Sequence, residues 1–532
     1  MSIREKKEER KQKMSLINDI VKKLVGDFGV MPNKARGMSY EDYASKWVND
    51  MPRLVILNST MNPSSDGCLP IKLSTIKKKV FDHRITRNGT KIVLVDWFNT
   101  NYPLWTEVKK GYSLPNGMRE YTTIEGGPLW LSTLEDMPSQ FILDSYNKSV
   151  EDIDNFDDIA IDLDNLMAYY KHTKKTYDNG KGQVKFFRYA FEAITIIKLA
   201  EDYNKVTTCP LTGKKTHFIP QHYEFSETFG RKYYQGNVRL QSCNEMVRHG
   251  ALGHCYALDI DASVYAYYLN KAAEYKLPDD ITKVVRNIID NKDIVRSDLA
   301  TCLTNTKATH AEKIKLIKKA LTAMGFGARV DNAYGAIKDI IYDKTDRIAF
   351  VNHDTVKKLS VFYKALTAKV MTDMDNDTDK PRDNRKFLTA CVRNNPSRPD
   401  YDASKPFNKT YNNPERNYDA NKKTTYYDTF KTSTYMASLY QKEETRIMIE
   451  VIDGLEIYGN ETLLWVHDGI YVKNKPDMQL IEAVLYNQET KLTFSCEEIN
   501  TWSNTHKNDT SKRINEIKEE DAMMGKRTLF TV

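Results

Sequence analysis

Cysteine is scarce in this 532-residue sequence, with seven residues that are widely spaced and odd in number. This usage argues against a disulfide framework and indicates a reducing compartment such as the cytoplasm. No apolar run reaches the roughly 20 residues that a membrane-spanning helix needs. The first residues, Arg4 to Lys13, are charged rather than hydrophobic and do not predict a signal peptide. We therefore expect a cytoplasmic protein without a membrane partner.

A strong excess of charge is also absent. The chain has 79 Lys and Arg against 72 Asp and Glu, a formal net charge of +7. That balance permits nucleic-acid binding through local basic patches but does not require it. Residues 1–205 contain no paired-carboxylate pattern that would indicate a proofreading exonuclease, and no internal repeat is present. Within them, Val93 to Trp97 predicts a buried strand and residues 186–203 predict an amphipathic helix.

The most informative stretch runs from Leu463 to Val472. Two apolar, β-prone runs flank His467-Asp468-Gly469, a pattern typical of a tight hairpin. A carboxylate at the tip, held by two rigid strands, is well placed to bind a metal. Most Asp-Gly turns are purely structural, so the metal hypothesis needs a second carboxylate elsewhere in the chain.

A second acidic group follows the strand-like run that starts at Tyr256. Asp259 and Asp261 are two residues apart, so on a strand their side chains point to the same face. Acidic residues that close a buried strand suit Mg²⁺, which prefers oxygen ligands. Carboxylates from two strands can hold two metals about 3.5–4 Å apart, as in enzymes that catalyse in-line displacement at phosphorus. The alternative is a helix cap formed by Asp261 with Ser263.

Between these groups, Lys313 to Gly327 predicts a helix that ends near Gly327. Lys318, Thr322 and Phe326 are four residues apart and form one stripe along it. A cation, a hydroxyl and an aromatic ring on one stripe could contact the phosphates, sugar and base of a nucleotide. Taken alone, such a stripe is more often a basic surface with an apolar back.

Together these motifs resemble the polymerase superfamily of family A DNA polymerases and phage-type single-subunit RNA polymerases. Asp261 with Ser263 resembles motif A of that superfamily. Lys318 with Phe326 and Gly327 resembles motif B, and His467-Asp468 resembles motif C, in the same order along the chain. The similarity extends over about residues 210–475.

Two upstream blocks add to this resemblance. Gly230-Arg231 followed by Gln241 is similar to the Gly-Arg motif of the superfamily with its downstream Gln. Thr212-Gly213-Lys214 and His217 resemble a DNA-polymerase stretch just before it.

Several positions depart from the superfamily pattern. Ile314 stands where motif B usually opens with Arg, and Lys315 is the expected substitute. Gly469 replaces the Glu or Ser that usually follows the motif C Asp. Ala266 occupies the position where DNA polymerases of the family carry a Glu that crowds the ribose 2′-hydroxyl, which favours ribonucleotides. Phe326 replaces a Tyr whose hydroxyl aids sugar discrimination, which argues in the opposite direction.

The resemblance implies a helix-rich α+β protein with a right-hand palm-fingers-thumb fold and an antiparallel palm sheet. The expected segments are an N-terminal region with the thumb at 1–205, palm at 206–275, fingers at 276–371, a polar insertion or mobile loop at 372–431, and palm with a C-terminal tail at 432–532. The insertion is predicted from its polar composition, poor in aliphatic residues.

The resemblance also implies roles for individual residues. Asp261 and Asp468 would hold two Mg²⁺ ions, and Lys318 would bind phosphate and assist the leaving group. Contacts to template, primer or nucleotide are expected from Arg231, Gln241, Ala266, Lys315, Thr322, Phe326, Gly327 and His467.

The implied function is DNA-directed RNA polymerase or primase-like RNA synthesis. The alternatives are an exonuclease-lacking family A-like DNA polymerase and an inactive relative that only binds nucleic acid. Expected partners are a DNA template, an RNA product or primer and nucleoside triphosphates. The composition, rich in Asn, Lys and Tyr, suits an AT-rich phage or plasmid source, with an accessory phage protein as a further partner.

Overall fold

The computed structural model describes residues 3–28, 39–59, 61, 63–64, 67–71, 84–87, 90–109, 122–181, 184–210, 213, 215–328, 330, 336–375, 388–393, 425–430, 432–487 and 492–502. Its contacts divide the chain into two compact units. The first comprises Met1–Glu224, Tyr233–Cys255 and Glu498–Val532, and the second comprises Phe225–Lys232 and Tyr256–Glu497. This division is coarser than the five segments expected from the sequence, whose roles stay predictions.

Helices make up most of the first unit. Their bounds are Ile3–Phe28, Tyr40–Asn49, Met51–Leu57, Leu94–Asn101, Pro128–Asp136, Ser139–Ser149, Leu163–Thr176, Val184–Tyr203 and Glu245–Leu252. The strands that lie wholly or largely in this unit are Leu69–Ile71, Arg84–Arg87, Thr90–Val93, Glu107–Lys109, Thr122–Ile124, Phe156–Ile161, Val206–Thr208, Lys215–Phe225 and Lys232–Tyr234. They form a three-stranded sheet, a hairpin and a four-stranded sheet.

Two sequence expectations for this unit are corrected. Strand Thr90–Val93 ends where the buried strand was predicted to begin, and residues from Leu94 form helix Leu94–Asn101. Helix Val184–Tyr203 is not amphipathic over its second half, because every residue from 191 to 200 is buried. Its polar side chains there are satisfied internally; the Lys198 ammonium, for example, donates to the Met137 carbonyl at 2.6 Å.

The second unit also consists mainly of helices. Their bounds are Ser263–Glu274, Asp279–Asp290, Lys292–Thr301, His310–Gly325, Ala336–Ile340, Lys344–Asn352, Asp354–Asp375, Thr432–Ile457 and Met478–Asn487. Two apolar clusters stabilise the unit. One surrounds Tyr268, Leu321 and Phe362, and the other surrounds Leu258 and Ile447.

A four-stranded sheet lies largely in the second unit, in the order Thr462–Val466, Gly469–Val472, Cys255–Ile260, Phe494–Ile499. The first three strands pair antiparallel. The chain is therefore a helix-rich α+β protein with antiparallel sheets, as the sequence predicted. No described helix is long and apolar enough to cross a membrane.

The predicted polar insertion at 372–431 begins later than expected, because helix Asp354–Asp375 includes its first residues. Two strands within it, Leu388–Arg393 and Thr425–Phe430, pair antiparallel with each other. Residues 376–387, 394–424 and 431 lie outside the described residues.

Candidate active site

Two neighbouring strands of the second unit bring their acidic residues together. In the antiparallel pairing of Cys255–Ile260 with Gly469–Val472, Asp259 stands opposite Gly469. One step further on, the Ile260 amide donates to the Asp468 carbonyl at 3.1 Å. Acidic residues far apart in sequence thus become neighbours through backbone pairing alone.

The backbone is unusual beside both predicted metal ligands. His467, immediately before Asp468, has a φ of +55°, and Ala262, immediately after Asp261, has a φ of +48°. Such left-handed conformations cost a residue with a Cβ roughly 1–2 kcal/mol. They are enriched at functional sites, although Met61, Asn204 and Lys276 also adopt them away from this cavity. The two-residue turn between Val466 and Gly469 is the hairpin that the sequence predicted.

Asp261 follows directly after its strand and is anchored at both ends. Its backbone amide donates to the Thr493 carbonyl at 2.9 Å. The Lys292 ammonium donates to its Oδ1, also at 2.9 Å. No sequence pattern predicted a role for Lys292, which begins helix Lys292–Thr301.

The predicted stripe lies on helix His310–Gly325, and its three residues Lys318, Thr322 and Phe326 line one cavity. A capping box formed by Thr309 and Glu312 starts this helix three residues earlier than predicted. The Thr322 hydroxyl donates to the Lys318 carbonyl at 2.9 Å, so its hydrogen bond lies within the helix.

That cavity has a volume of about 390 Å³ and lies within the second unit. Acidic, basic and aromatic residues line it, including Asp259, Asp261, Asp468, Lys292, Arg296, Lys318, Phe326, Tyr440, Arg231 and His467. Carboxylates and cations therefore face the same space, which is large enough for a small polar ligand.

The electrostatics of Asp259 reflect this crowding. Burial of the carboxylate among protein atoms, followed by the negative charge of Asp468, raises the pKa of Asp259 to about 7. Lys318 acts in the opposite direction. The residue nevertheless keeps an exposed surface, so solvent moderates the effect. Like charges held close together raise a carboxyl pKa, and a divalent cation would relieve them.

The donor set fits Mg²⁺ when substrate completes it. The described residues hold no group of three His, Cys, Asp or Glu side chains placed to bind a metal by themselves. Mg²⁺ usually takes one or two protein carboxylates and fills its other positions with water and substrate phosphates. Asp261 and Asp468 are the side chains that would hold it, with Asp259 beside them.

Arg231 is engaged within the protein. Its guanidinium makes two hydrogen bonds to Glu444, at 2.7 and 2.8 Å, and the two side chains are 13% and 2% exposed. Burial alone would lower the pKa of Arg231, but the pairing with Glu444 outweighs it and the pKa is raised. The predicted contact of Arg231 with template or primer would require this pair to open.

A hydrogen-bonded chain connects this ion pair to the hairpin. The Tyr440 hydroxyl contacts Glu444 and lies 2.8 Å from Ser263 Oγ, which in turn donates to Asp468 Oδ2 at 3.2 Å. The Tyr440 ring also packs against Phe326, with ring centroids 5.8 Å apart. Helix Thr432–Ile457, which carries Tyr440 and Glu444, therefore positions groups around Asp468.

Four predicted contacts do not line this cavity. Gln241 belongs to the first unit, is 8% exposed, and accepts a hydrogen bond from the Tyr234 amide at 3.2 Å. Lys315 is exposed, one turn nearer the helix start. Gly327, with a φ of +75°, lines a neighbouring cavity of about 440 Å³.

Ala266 is the fourth predicted contact that does not line the cavity, and its position bears on the predicted preference for ribonucleotides. It is 6% exposed and packs in the apolar cluster with Leu258 and Ile447. Its side chain lies in that cluster and does not line the cavity, so the steric argument for ribonucleotides gains no support from the structure. Thr212 and Lys214 lie outside the described residues, and His217 lies in strand Lys215–Phe225 of the first unit.

Comparison with known proteins does not assign this chain to a family. No protein-family model matches the sequence, and no curated protein matches it. Among solved structures, the chain is similar to the POL domain of Pol1 from M. smegmatis, in complex with DNA primer-template and dNTP. The TM-score is 0.35 at 13% identity, with 70% of this chain and 65% of that chain covered. The chain thus spans less than two thirds of that relative.

Proposed function

We propose that the second unit catalyses template-directed nucleotidyl transfer with Mg²⁺. One observation carries the proposal: carboxylates from two antiparallel strands line the same cavity as Lys318, Phe326 and Arg296. Carboxylates suit the metal, cations suit a triphosphate, and an aromatic ring suits a base. The proposed substrates are a nucleic-acid 3′ end on a DNA template and nucleoside triphosphates.

The residues of the cavity have separable roles in this proposal. Asp261 and Asp468 would hold Mg²⁺, which when bound activates the attacking hydroxyl and neutralises the phosphates. Lys318 binds phosphate where negative charge develops. Phe326 packs against the base or sugar, and His467 lies at the primer end. Ser263, through its hydrogen bond to Asp468, fixes the orientation of that carboxylate.

The sugar of the substrate is a separate question. With Ala266 in the apolar cluster, the preference for ribonucleotides loses its sequence argument. DNA synthesis and RNA synthesis are therefore equally compatible with the proposal. The same holds for a primase-like role and for a phage polymerase role. The ratio of kcat/KM for ATP and dATP on one template decides between them. A preference of about tenfold corresponds to roughly 1.4 kcal/mol of discrimination in the transition state.

Primer extension tests the proposal directly. The full chain is given a primed DNA template, Mg²⁺ and either all four ribonucleotides or all four deoxyribonucleotides. Asp468→Asn should abolish incorporation while leaving the Tm nearly unchanged, because the hairpin tip contributes a ligand and little core. Asp453→Asn, an exposed carboxylate on helix Thr432–Ile457, is the matched control. Absence of incorporation by wild type with both sugars would refute the proposal.

A further inference from the structure

Lys292 forms an ion pair with Asp261, a carboxylate that a metal would also bind. Its Nζ lies 2.9 Å from Asp261 Oδ1, and the two side chains are 41% and 28% exposed. Lys292 and Arg296 are one helical turn apart, so they share a face of helix Lys292–Thr301, and both line the cavity with Lys318.

An ammonium and a divalent ion cannot share one carboxylate oxygen at full strength. A partly exposed ion pair is weak, so a doubly charged metal held by Asp261 and Asp468 would compete with the lysine for Asp261. The freed ammonium sits on a flexible four-carbon stem and stays within the cavity. There it adds its positive charge to those of Arg296 and Lys318. All three cations then face any anionic ligand in the cavity.

We propose that Lys292 is a positioning residue that neutralises Asp261 until the metal binds and then pairs with the phosphates of the incoming nucleotide. Competition with the metal follows from the ion pair alone. The transfer to phosphate rests on the proposed function. The lysine thus couples the order of events: metal binding at Asp261 releases the cation that the triphosphate needs.

A simple tether between helix Lys292–Thr301 and the strand end is the competing explanation. A tether contributes stability but does not oppose metal binding. Removing Lys292 would then lower the Tm and leave metal affinity unchanged or weakened. Competition predicts the opposite sign for metal affinity, so the two explanations separate in one measurement.

The test is Mn²⁺ binding to the full chain, followed by electron paramagnetic resonance without nucleotide or nucleic acid. Lys292→Met should bind Mn²⁺ about twofold to fivefold more tightly than wild type, the range expected when a weak competing pair is removed. Lys292→Arg, which keeps the charge, should stay near wild type. Lys283→Met, an exposed lysine on the preceding helix Asp279–Asp290, should bind as wild type does.

A double-mutant cycle excludes a general effect of net charge. In an Asp261→Asn background the competing carboxylate is gone, so Lys292→Met should no longer change Mn²⁺ affinity. Equal or weaker binding by Lys292→Met overturns the inference, and so does a full effect in the Asp261→Asn background. Failure of both wild type and Lys292→Met to bind Mn²⁺ also overturns it. Lys292→Gln replaces Lys292→Met if the latter does not fold by circular dichroism.

The proposed pairing of Lys292 with the nucleotide phosphates is tested with ATP and dATP at a saturating metal concentration. Lys292→Met should raise the KM for the triphosphate about tenfold with a smaller change in kcat, as loss of a charge-assisted contact predicts. An unchanged KM would overturn the transfer to phosphate. If wild type incorporates neither sugar, the proposed function fails, but the Mn²⁺ result still decides the competition.

Discussion

Asp259 and Gly469 stand directly opposite each other on adjacent antiparallel strands. A Cβ added at Gly469 would lie 3.0 Å from the Leu258 carbonyl oxygen and 3.3 Å from Asp259 Oδ1. A side chain at this position, where the superfamily usually has Glu or Ser, would therefore crowd the strand pairing. The missing side chain of Gly469 leaves room for the Asp259 carboxylate beside the hairpin.

Gly469→Ala should be destabilising, because the added methyl group meets a backbone carbonyl that cannot move aside. The expected loss is about 1–3 kcal/mol. Incorporation should fall as well, since the same methyl group presses on Asp259. Urea unfolding measures the first effect. Gly26→Ala is the control: its Cβ would meet nothing within 4 Å, and alanine in that helix should stabilise by roughly 0.5–1 kcal/mol.

Lys318→Ala should weaken use of the triphosphate. A hydrogen bond between charged groups contributes about 1.5–3 kcal/mol, which corresponds to roughly tenfold to hundredfold in kcat/KM. Lys319→Ala is a matched control, because Lys319 is also exposed but does not line the cavity. Equal losses in both variants would mean that general charge, and not the position of Lys318, controls binding.

Asp259→Asn should change stability in a pH-dependent way. The pKa of Asp259 is raised from 3.8 to about 7, first by burial and then by Asp468. Between these values the folded protein holds a proton that the unfolded chain has released, so wild-type stability falls as pH rises. An amide does not titrate. As the pH rises from 5 to 8, the urea midpoint of wild type should therefore fall relative to that of the variant. A difference between the two midpoints that does not change with pH would contradict the raised pKa.

Glu444→Gln should destabilise the second unit strongly, because it leaves the Arg231 guanidinium buried and without its carboxylate. Breaking a buried ion pair costs about 3–5 kcal/mol. The neighbouring Glu443→Gln is the control: its pair with Arg446 is 34% and 42% exposed, so the loss should be at most about 1 kcal/mol. Similar midpoints for the two variants in urea would show that burial does not strengthen the Arg231 pair.

Ala266→Glu should disrupt packing and leave sugar choice alone. A carboxylate at a 6% exposed position within an apolar cluster costs several kcal/mol, on the order of 3 or more. Ala273→Glu, on the same helix but exposed, should be tolerated. A shift in the ratio of kcat/KM for ATP and dATP with an unchanged Tm would restore the steric argument.

Local signals predicted two structural elements that line this cavity. Apolar runs around His467-Asp468 specified the hairpin, and the four-residue spacing of Lys318, Thr322 and Phe326 specified one helical face. The capping box at Thr309 was also readable, because Ser or Thr with Glu three residues later is a helix-start signal. Elements that depend on interactions between residues close together in the chain can therefore be predicted from the sequence.

Non-local contacts were not predictable in the same way. The partner of Asp261 is a lysine on a helix 31 positions later, and nothing in the sequence around Lys292 distinguishes it from other surface lysines. Val93 to Trp97 has strand-like composition, but tertiary packing overrides that propensity and residues from Leu94 form a helix. The direction in which Ala266 points likewise depends on which helix covers it.

The hairpin contacts a residue far away along the chain: Ser263 and Asp468 are hydrogen-bonded across 205 positions. Pairings this distant form slowly, since the intervening chain must be ordered before the contact offsets the entropy of closing the loop. A ribosome adding about 5–20 residues per second would need roughly 10–40 s to make that stretch. During this interval neither neighbour of strand Cys255–Ile260, which are Gly469–Val472 and Phe494–Ile499, has been made, and both of its edges are open to pairing with other chains. The same topology that assembles the site therefore leaves this strand exposed to aggregation during synthesis.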